Sequence, residues 1–411
     1  MKNTKFKLNE SNLLFLLCIC IPIMQIVNSL FLFDTGESSV GKIFRLIIFF
    51  TTLYIAITTS IKEMYWIILL LLVNIVVAFY QILNGLNVME AFLNLMKLMS
   101  PYVMISAFNG LITRKKIGLE YFDKMLKFLL VFVPLSLLVP RLVGIGYERY
   151  EGSGYQGLYY ENNALVLVIV IVYIFSLENL INEVNKKNLI LSAFAVFSVV
   201  INGSKSSMLF FVVITFTYFL RYIFIKNPKQ FVVRFIILLV FVVGLLAVLY
   251  PVISSMIQKR LEAYQYYYTG GVLVNQGKVI DFLTNGRTGF ARYYFEKYYS
   301  GDSILNIMFG IQHYESIRVE MDPFDIFMYF GGVVFFILTI YILKAFWKIK
   351  NCSFMTQMMF CSIMIYSLLA GHVWNSSLSG LMYAIVLSIV ISNKSFVVSG
   401  KKEELTKKYI R

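Results

Sequence analysis

Apolar runs of helix length dominate the chain, and short polar stretches separate them. A helix needs about 20 consecutive apolar residues to cross the hydrocarbon core of a bilayer, and by that criterion the pattern predicts about twelve membrane-spanning helices. Nine lie within residues 1–250 and three within residues 323–393. The run Asn188–Asn202 is shorter than a full span, so the number of predicted helices is uncertain by one or two. The first run, Asn12–Phe33, is too long for the core of a signal peptide and is expected to be a retained helix.

Two polar segments are longer than a simple connection requires. Residues 144–162 are rich in glycine and tyrosine, and residues 251–322 form the largest segment between apolar runs. Long connections that are not needed to join helices usually carry function. The expected fold class is therefore an all-α integral membrane protein with one large extracytoplasmic loop, 251–322, and a basic tail over residues 394–411.

Lysine and arginine are distributed unevenly between alternate loops. Cytoplasmic loops of membrane proteins carry an excess of these residues. Placing the N-terminus inside assigns the following basic residues to the cytoplasmic side: Lys2, Lys5, Lys7, Lys62, Arg114, Lys115, Lys116, Lys124, Lys127, Lys186, Lys187, Arg221, Lys226, Lys229, Arg234, Lys344, Lys348 and Lys350. The short outer loops hold few, chiefly Lys42, Arg149 and Lys205. Both termini are thus expected in the cytoplasm of a multi-pass protein of the cell membrane.

Composition supports the membrane assignment and limits other partners. Of the 411 residues, 59% are hydrophobic and only 14% are charged, which no soluble fold can accommodate. The net charge of +15 follows from the basic cytoplasmic loops, so nucleic-acid binding is not expected. The four cysteines and two histidines lack the spacing of metal ligands, so no metal and no cofactor is expected.

Three basic residues stand on the outer side, where the charge bias does not explain them. Lys205 opens a helix in "INGSKSSMLFF", and a helix N-terminus favours anions. Arg287 and Arg292 lie in "FLTNGRTGFARYYFEKYY" within the large loop, and arginine binds phosphate oxygens with two parallel hydrogen bonds. All three are candidate phosphate ligands; the alternatives are a lysine reaching from a hairpin turn and solvated charges on an interfacial helix.

Two further candidates lie nearer the lipid. Lys97 falls near mid-membrane in "AFLNLMKLMSPYVMI", four residues before Pro101. A lysine at that depth is costly and normally faces a cavity or a partner. His372, just before the last span, is either a polar interface residue or part of a site.

Acidic residues concentrate just before the tenth predicted span. Glu320, Asp322 and Asp325 follow His313 in "GIQHYESIRVEMDPFDIFMYFGG". Asp322 as N-cap, Pro323 at the first helical position and Asp325 at the third would make a strong helix start. Crowded carboxylates also raise one another's pKa, which suits a general base. Both interpretations stay open, and His313 is a further candidate base.

Taken together, the layout resembles the O-antigen polymerase and ligase superfamily, more closely the polymerases of capsule and exopolysaccharide clusters. The similar stretches are "NGSKSS", "NGRTG", "MFGIQHYES", "VEMDPFDIFMYFGGVVFF" and "AGHVWNSSLSGLMYAIV". Lys205 stands where the superfamily usually has arginine, and ligases tend to have histidine where this chain has carboxylates.

The resemblance implies transfer of a nascent glycan from undecaprenyl diphosphate to a lipid-linked repeat unit on the outer membrane face. It implies a metal-independent, inverting reaction, with flippase and chain-length regulator proteins as possible partners. Lys205 and Arg287 would stabilise the diphosphate, and Glu320 or Asp322 would act as base. The alternatives are a ligase of the same superfamily, a flippase or exporter of lipid-linked sugars, and a channel or solute transporter.

Overall fold

The computed structural model describes residues 9–35, 39–150, 153–226, 287–299, 304–311, 319–374 and 376–392. The span predicted within residues 231–250, most of the large loop 251–322 and the basic tail 394–411 lie outside these ranges, as does His313.

Helices account for nearly all of this structure. Those in the first part of the chain are α1 (Glu10–Thr35), α2 (Ser39–Thr59), α3 (Ile61–Leu83), α4 (Val88–Thr113), α5 (Leu119–Val143), α6 (Asn162–Asn182), α7 (Lys186–Asn202) and α8 (Lys205–Lys226). The later ones are α9 (Arg287–Tyr299), α10 (Ile304–Phe309), α11 (Asp322–Ile349), α12 (Phe354–Leu369) and α13 (Ser377–Ile391).

Seven of the described helices, α1 to α6 and α11, are long and apolar enough to cross a membrane. Helices α12 and α13 are apolar but shorter. The chain is therefore an α-helical membrane protein, as the hydrophobic pattern predicts. The total of about twelve spans and the orientation of the termini stay predictions.

Helices α4 and α6 form the centre of the bundle. In their most apolar stretches, 78% and 83% of residues are buried, against 28% in α2 and in α3. Helix α4 packs against α2, α3 and α13, and α6 packs against α5, α7, α8, α12 and α13. The outer helices leave large apolar side chains exposed, among them Phe50, Leu72 and Phe79, as expected for surfaces that contact lipid.

Polar contacts distinguish the two ends of the bundle. At one end, Lys116 pairs with Glu10, Arg221 pairs with Glu178, and Lys348 donates to the carbonyl of Ile391. We call this the basic end. The opposite end holds the start of α6, the start of α11 and the connection between α12 and α13, and we call it the Glu320 end.

The segment 144–162 contains a β-hairpin, which the expectation of an all-α fold did not include. Strands β1 (Tyr147–Tyr150) and β2 (Ser153–Gly157) pair in antiparallel fashion. The side chain of Asn202 donates to the carbonyl of Tyr155, and Arg141 lies 4.9 Å from the Tyr155 ring centroid. Tyrosine favours strands, and contacts with α5 and α7 hold this short sheet on the bundle.

Helix α11 is interrupted at Gly331, whose φ of 79° and ψ of 171° are not helical. The interruption frees backbone carbonyls, and other segments satisfy them. The backbone N–H of Ile311 donates to Met328 O at 2.7 Å, and the amide of Gln81 donates to Tyr329 O. A Cβ atom at Gly331 would lie 2.2 Å from Met308 O, so glycine allows α10 to pack directly on the break.

Candidate active site

Glu320 lies at the centre of a charged cluster assembled from four segments of the chain. Its Oε2 accepts a hydrogen bond from Arg287 Nη2 at 2.5 Å and from Asn163 Nδ2 at 3.4 Å. Its Oε1 lies 3.5 Å from His372 Nε2. Asn163 comes from the start of α6, Arg287 from the start of α9, and His372 from the connection between α12 and α13. We call these four residues the Glu320 cluster.

The end of α12 fixes two members of the cluster. Arg287 Nη1 donates to Leu369 O at 2.8 Å, and Asn163 Nδ2 donates to Ala370 O at 3.0 Å. These carbonyls belong to the last turn of α12, which has no intrahelical donors left for them. Arg287 and Asn163 therefore join the carboxylate of Glu320 to the helix end that precedes His372.

The backbone at the cluster adopts an uncommon conformation. Glu320 and His372 have φ values of 61° and 65°, and Gly371 between α12 and His372 has φ 62°. Left-handed backbone is rare for residues other than glycine and is often found where the surroundings hold a functional side chain in place. A Cβ atom at Gly371 would lie 2.5 Å from the backbone of Glu320. Glycine there lets the two strained segments touch.

The charges of the cluster are coupled. Burial by itself raises the pKa of Glu320, but His372 and Arg287 outweigh burial and hold that pKa well below its ordinary value of 4.5. Burial lowers the pKa of His372, yet its interaction with Glu320 raises that pKa above 6.5. With 26% of the Glu320 side chain and 21% of the His372 side chain exposed, the pair is open to a ligand.

Asp322 and Asp325 lie beside the cluster but have structural partners. Asp322 is 1% exposed, and its Oδ2 accepts a hydrogen bond from the backbone N–H of Val373 at 3.0 Å. The prediction that Asp322 is the N-cap is wrong, because Met321 precedes the helix and Asp322 is its first residue. Asp325 is 6% exposed and accepts from the backbone N–H of Val319 at 3.2 Å. Both carboxylates hold loops in place, and neither is open to a sugar hydroxyl.

Two of the predicted phosphate ligands, Arg292 and Lys205, lie on α9 and at the start of α8. Arg292 has 75% of its side chain exposed and pairs with Glu296 on the same face of α9. Lys205 is the first residue of α8, as predicted, in a turn where Ser204 Oγ accepts from the backbone N–H of Ser207. Arg287, the third predicted ligand, lies in the Glu320 cluster with its side chain 12% exposed.

Lys97 is half-buried on α4, and its Nζ lies 3.4 Å from Asn94 Oδ1. It lines a cleft together with Arg45 and Ser376, so the expectation that it faces a cavity is met. Arg45, Asn163 and Ser376 were not predicted from the sequence. Asn163 directly follows a polar loop and Ser376 directly precedes a span, but many polar residues that only cap helices occupy such positions.

The described part of the chain contains no group of three or more histidine, cysteine or acidic residues placed to hold a metal ion. The donor set of the Glu320 cluster is instead a carboxylate, an imidazole, an amide and a guanidinium. An imidazole paired with a carboxylate can accept a proton, and a guanidinium can stabilise negative charge.

These features define an α-helical membrane protein with a strained, charged cluster at one end of its bundle. Comparison with known proteins adds no relative: no family model, no curated protein and no solved structure matches the chain. Any more particular assignment therefore depends on the motifs of the sequence and on the geometry of the cluster.

Proposed function

We propose that the protein is a polysaccharide repeat-unit polymerase of the O-antigen or capsule type. It transfers a nascent glycan from undecaprenyl diphosphate to a lipid-linked repeat unit, with the Glu320 end facing the outside of the cell membrane. The observation that carries this proposal is the convergence of Arg287, Glu320 and His372 at the end opposite the basic end. The motif resemblance supplies the substrate class, and the charge bias of the loops supplies the orientation.

In this proposal His372 is the general base rather than Asp322. Because Nε2 of His372 faces Glu320, its Nδ1 takes the proton from the acceptor hydroxyl. The acceptor oxygen bonds to the anomeric carbon as the bond from that carbon to the diphosphate oxygen breaks. The diphosphate lipid leaves with the electron pair, and the anomeric centre is inverted.

Glu320 and Arg287 act as positioning residues. Glu320 holds the imidazole in one orientation and stabilises the cation that forms when Nδ1 takes the proton. Arg287 neutralises Glu320 and ties it to α12, so the carboxylate stays in place when the imidazole becomes charged. The side chains of the cluster thus manage the proton and the charge that forms on the imidazole.

The test is reconstitution of the full chain with a lipid-diphosphate-linked oligosaccharide and separation of the products by size. The expected result is a ladder of longer glycans from the wild type and from the control Glu296→Gln, whose side chain is 65% exposed. Glu320→Gln should yield single repeat units only.

Other outcomes would overturn the proposal. A full ladder from Glu320→Gln would remove Glu320 from the mechanism. Repeat units that stay on the inner face of cells carrying this variant would indicate a flippase. Untransferred long polymer would indicate a ligase.

A further inference from the structure

We propose that the cleft between α2, α4 and the start of α13 is a binding site for a phosphoryl group, held by Arg45, Lys97 and Ser376. The chemical class is a phosphate or diphosphate ester. Its identification as the diphosphate of the lipid-linked glycan rests on the proposed function; the site itself does not.

The cleft has a strong excess of positive charge. Arg45 and Lys97 both line it, together with the hydroxyl-bearing residues Ser100, Ser376 and Ser377, and none of the described residues that line it is acidic. Arg45 reaches Glu161 at 3.7 Å, longer than the other ion pairs among the described residues, and its side chain is 25% exposed. A guanidinium has five N–H donors, so this contact leaves Arg45 able to bind an anion.

Ser376 supplies an independent sign of a missing ligand. It is the N-cap residue of α13 and only 2% exposed, yet its side chain makes no capping hydrogen bond. Its Oγ is buried in the cleft and has no hydrogen-bond partner among the described residues. A buried hydroxyl without a partner is costly, and a ligand oxygen would satisfy it. The first N–H groups of α13 and the positive end of its dipole lie beside the same Oγ.

The cleft reaches well into the helix bundle. Lys97 lies nine residues into α4, about 14 Å along the helix axis from its first residue. Lysine at that depth is unfavourable unless it faces a cavity, water or an anion. The cleft floor is narrow, because a Cβ atom on Gly380 would lie 3.0 Å from the ring of Pro101.

The cleft adjoins the Glu320 cluster through two connections. Ser376 lies in the same connection as His372, between α12 and α13. Glu161, the partner of Arg45, is followed two residues later by Asn163, which donates to Glu320. A diphosphate in the cleft would therefore lie on the side of the bundle that holds the proposed base, which would bring its attached sugar toward an acceptor there.

The experiment measures binding rather than turnover. The full chain in detergent micelles is titrated with farnesyl diphosphate, with farnesol as the uncharged match and with sodium pyrophosphate as the headgroup alone. Lys97→Gln and Arg45→Gln should each weaken binding of farnesyl diphosphate by about tenfold or more. Ser376→Ala should weaken it less, and Lys97→Arg should retain most of it. Lys42→Gln, which removes an exposed charge one turn from Arg45 on α2, should bind as wild type.

Titrations with the probes separate the sources of the phosphoryl group. Binding of farnesyl diphosphate alone indicates a polyprenyl ester, and equal binding of pyrophosphate indicates recognition of the diphosphate alone. Competition by phosphatidylglycerol in nanodiscs, absent with phosphatidylcholine, indicates a phospholipid headgroup. Equal binding of farnesol, or unchanged affinity in both Lys97→Gln and Arg45→Gln, would overturn the site. His372→Gln should still bind, so failure of the proposed reaction and failure of this site give different results.

Discussion

Two paired carboxylates lie near opposite ends of the bundle, and they differ in everything except their charge. Glu178, on the last turns of α6, pairs with Arg221 at 2.8 Å, within regular helices that pack side by side. Glu320 lies in left-handed backbone outside any helix and joins an arginine, a histidine and an asparagine from three other segments.

The contrast separates a structural ion pair from a candidate reactive one. The Glu178 pair lies in regular helical backbone without strain and links α6 to α8. Its role is therefore structural. The Glu320 cluster requires unfavourable backbone at two positions, and Glu320 raises the pKa of the His372 imidazole above its ordinary value. Such costs persist where the arrangement serves a function. Experiments on both sites can test this difference between the Glu178 pair and the Glu320 cluster.

The largest effect should come from removing the base. His372→Gln preserves a polar side chain but cannot take a proton, so we expect transfer to fall by about 100- to 10,000-fold. Glycan length after reconstitution measures the effect. Gln357→Ala, a change of a half-buried polar residue at the basic end, is the control and should leave transfer intact. Transfer by His372→Gln within a factor of a few of wild type would refute the assignment of the base.

A glycine pair tests the strained geometry. Gly371 and Gly144 both have left-handed φ, 62° and 75°, but only Gly371 has backbone atoms where a Cβ would lie. Gly371→Ala should displace Glu320 and lower transfer by about tenfold or more, whereas Gly144→Ala carries only the local cost of about 1 kcal/mol. Transfer assays and thermal unfolding of both variants measure this difference. Similar activities of the two variants would show that the contact between Gly371 and Glu320 has no role in positioning.

The Glu178 pair should give the opposite pattern. Glu178→Gln leaves Arg221 without its charged partner and should lower the free energy of unfolding by about 1 to 3 kcal/mol. Transfer at a temperature well below unfolding should be unchanged. The double variant Glu178→Gln with Arg221→Gln should recover part of the stability, which thermal unfolding measures. A loss of transfer without a loss of stability would contradict the purely structural role.

The hydrophobic pattern predicted the long apolar helices well, because a bilayer demands apolar runs of fixed length whatever their packing. It did not predict α9 and α10, which lie within the segment expected to be a loop. The helix start at Lys205 was also visible in the sequence. The partners of the charged residues could not be predicted from the sequence. Asp322 reads as a helix cap in the sequence, but its carboxylate accepts from Val373, 51 residues away, and only packing decides such a contact.

The same limit explains the residues that sequence reasoning missed. Asn163 and Arg45 matter because α6 and α2 bring them to the Glu320 cluster and to the neighbouring cleft. Neither residue has a distinctive neighbour in the sequence. The β-hairpin was missed because its strands are too short to show an alternating pattern and depend on α5 and α7 for support.

The smallest effect, and the one most specific to the Glu320 cluster, is a pair of opposite pH trends. The raised pKa of His372 contributes stability that is complete below its ordinary value of 6.5 and is lost as pH rises through the folded-state pKa. The lowered pKa of Glu320 contributes stability above 4.5 that is lost only at lower pH. As pH rises above 6.5 the unfolding midpoint should therefore fall, by about 2 °C.

Transfer should rise over the same interval, because a general base must be neutral to take a proton. Glu320→Gln should flatten the stability trend and move the midpoint of any residual activity to lower pH, since the imidazole loses its anionic partner. Glu178→Gln should lower the unfolding midpoint by the same amount at every pH. The pH dependence of stability and the pH dependence of transfer should both remain. If stability and transfer changed with pH in the same direction in the wild type, His372 could be the acid of the reaction but not its base.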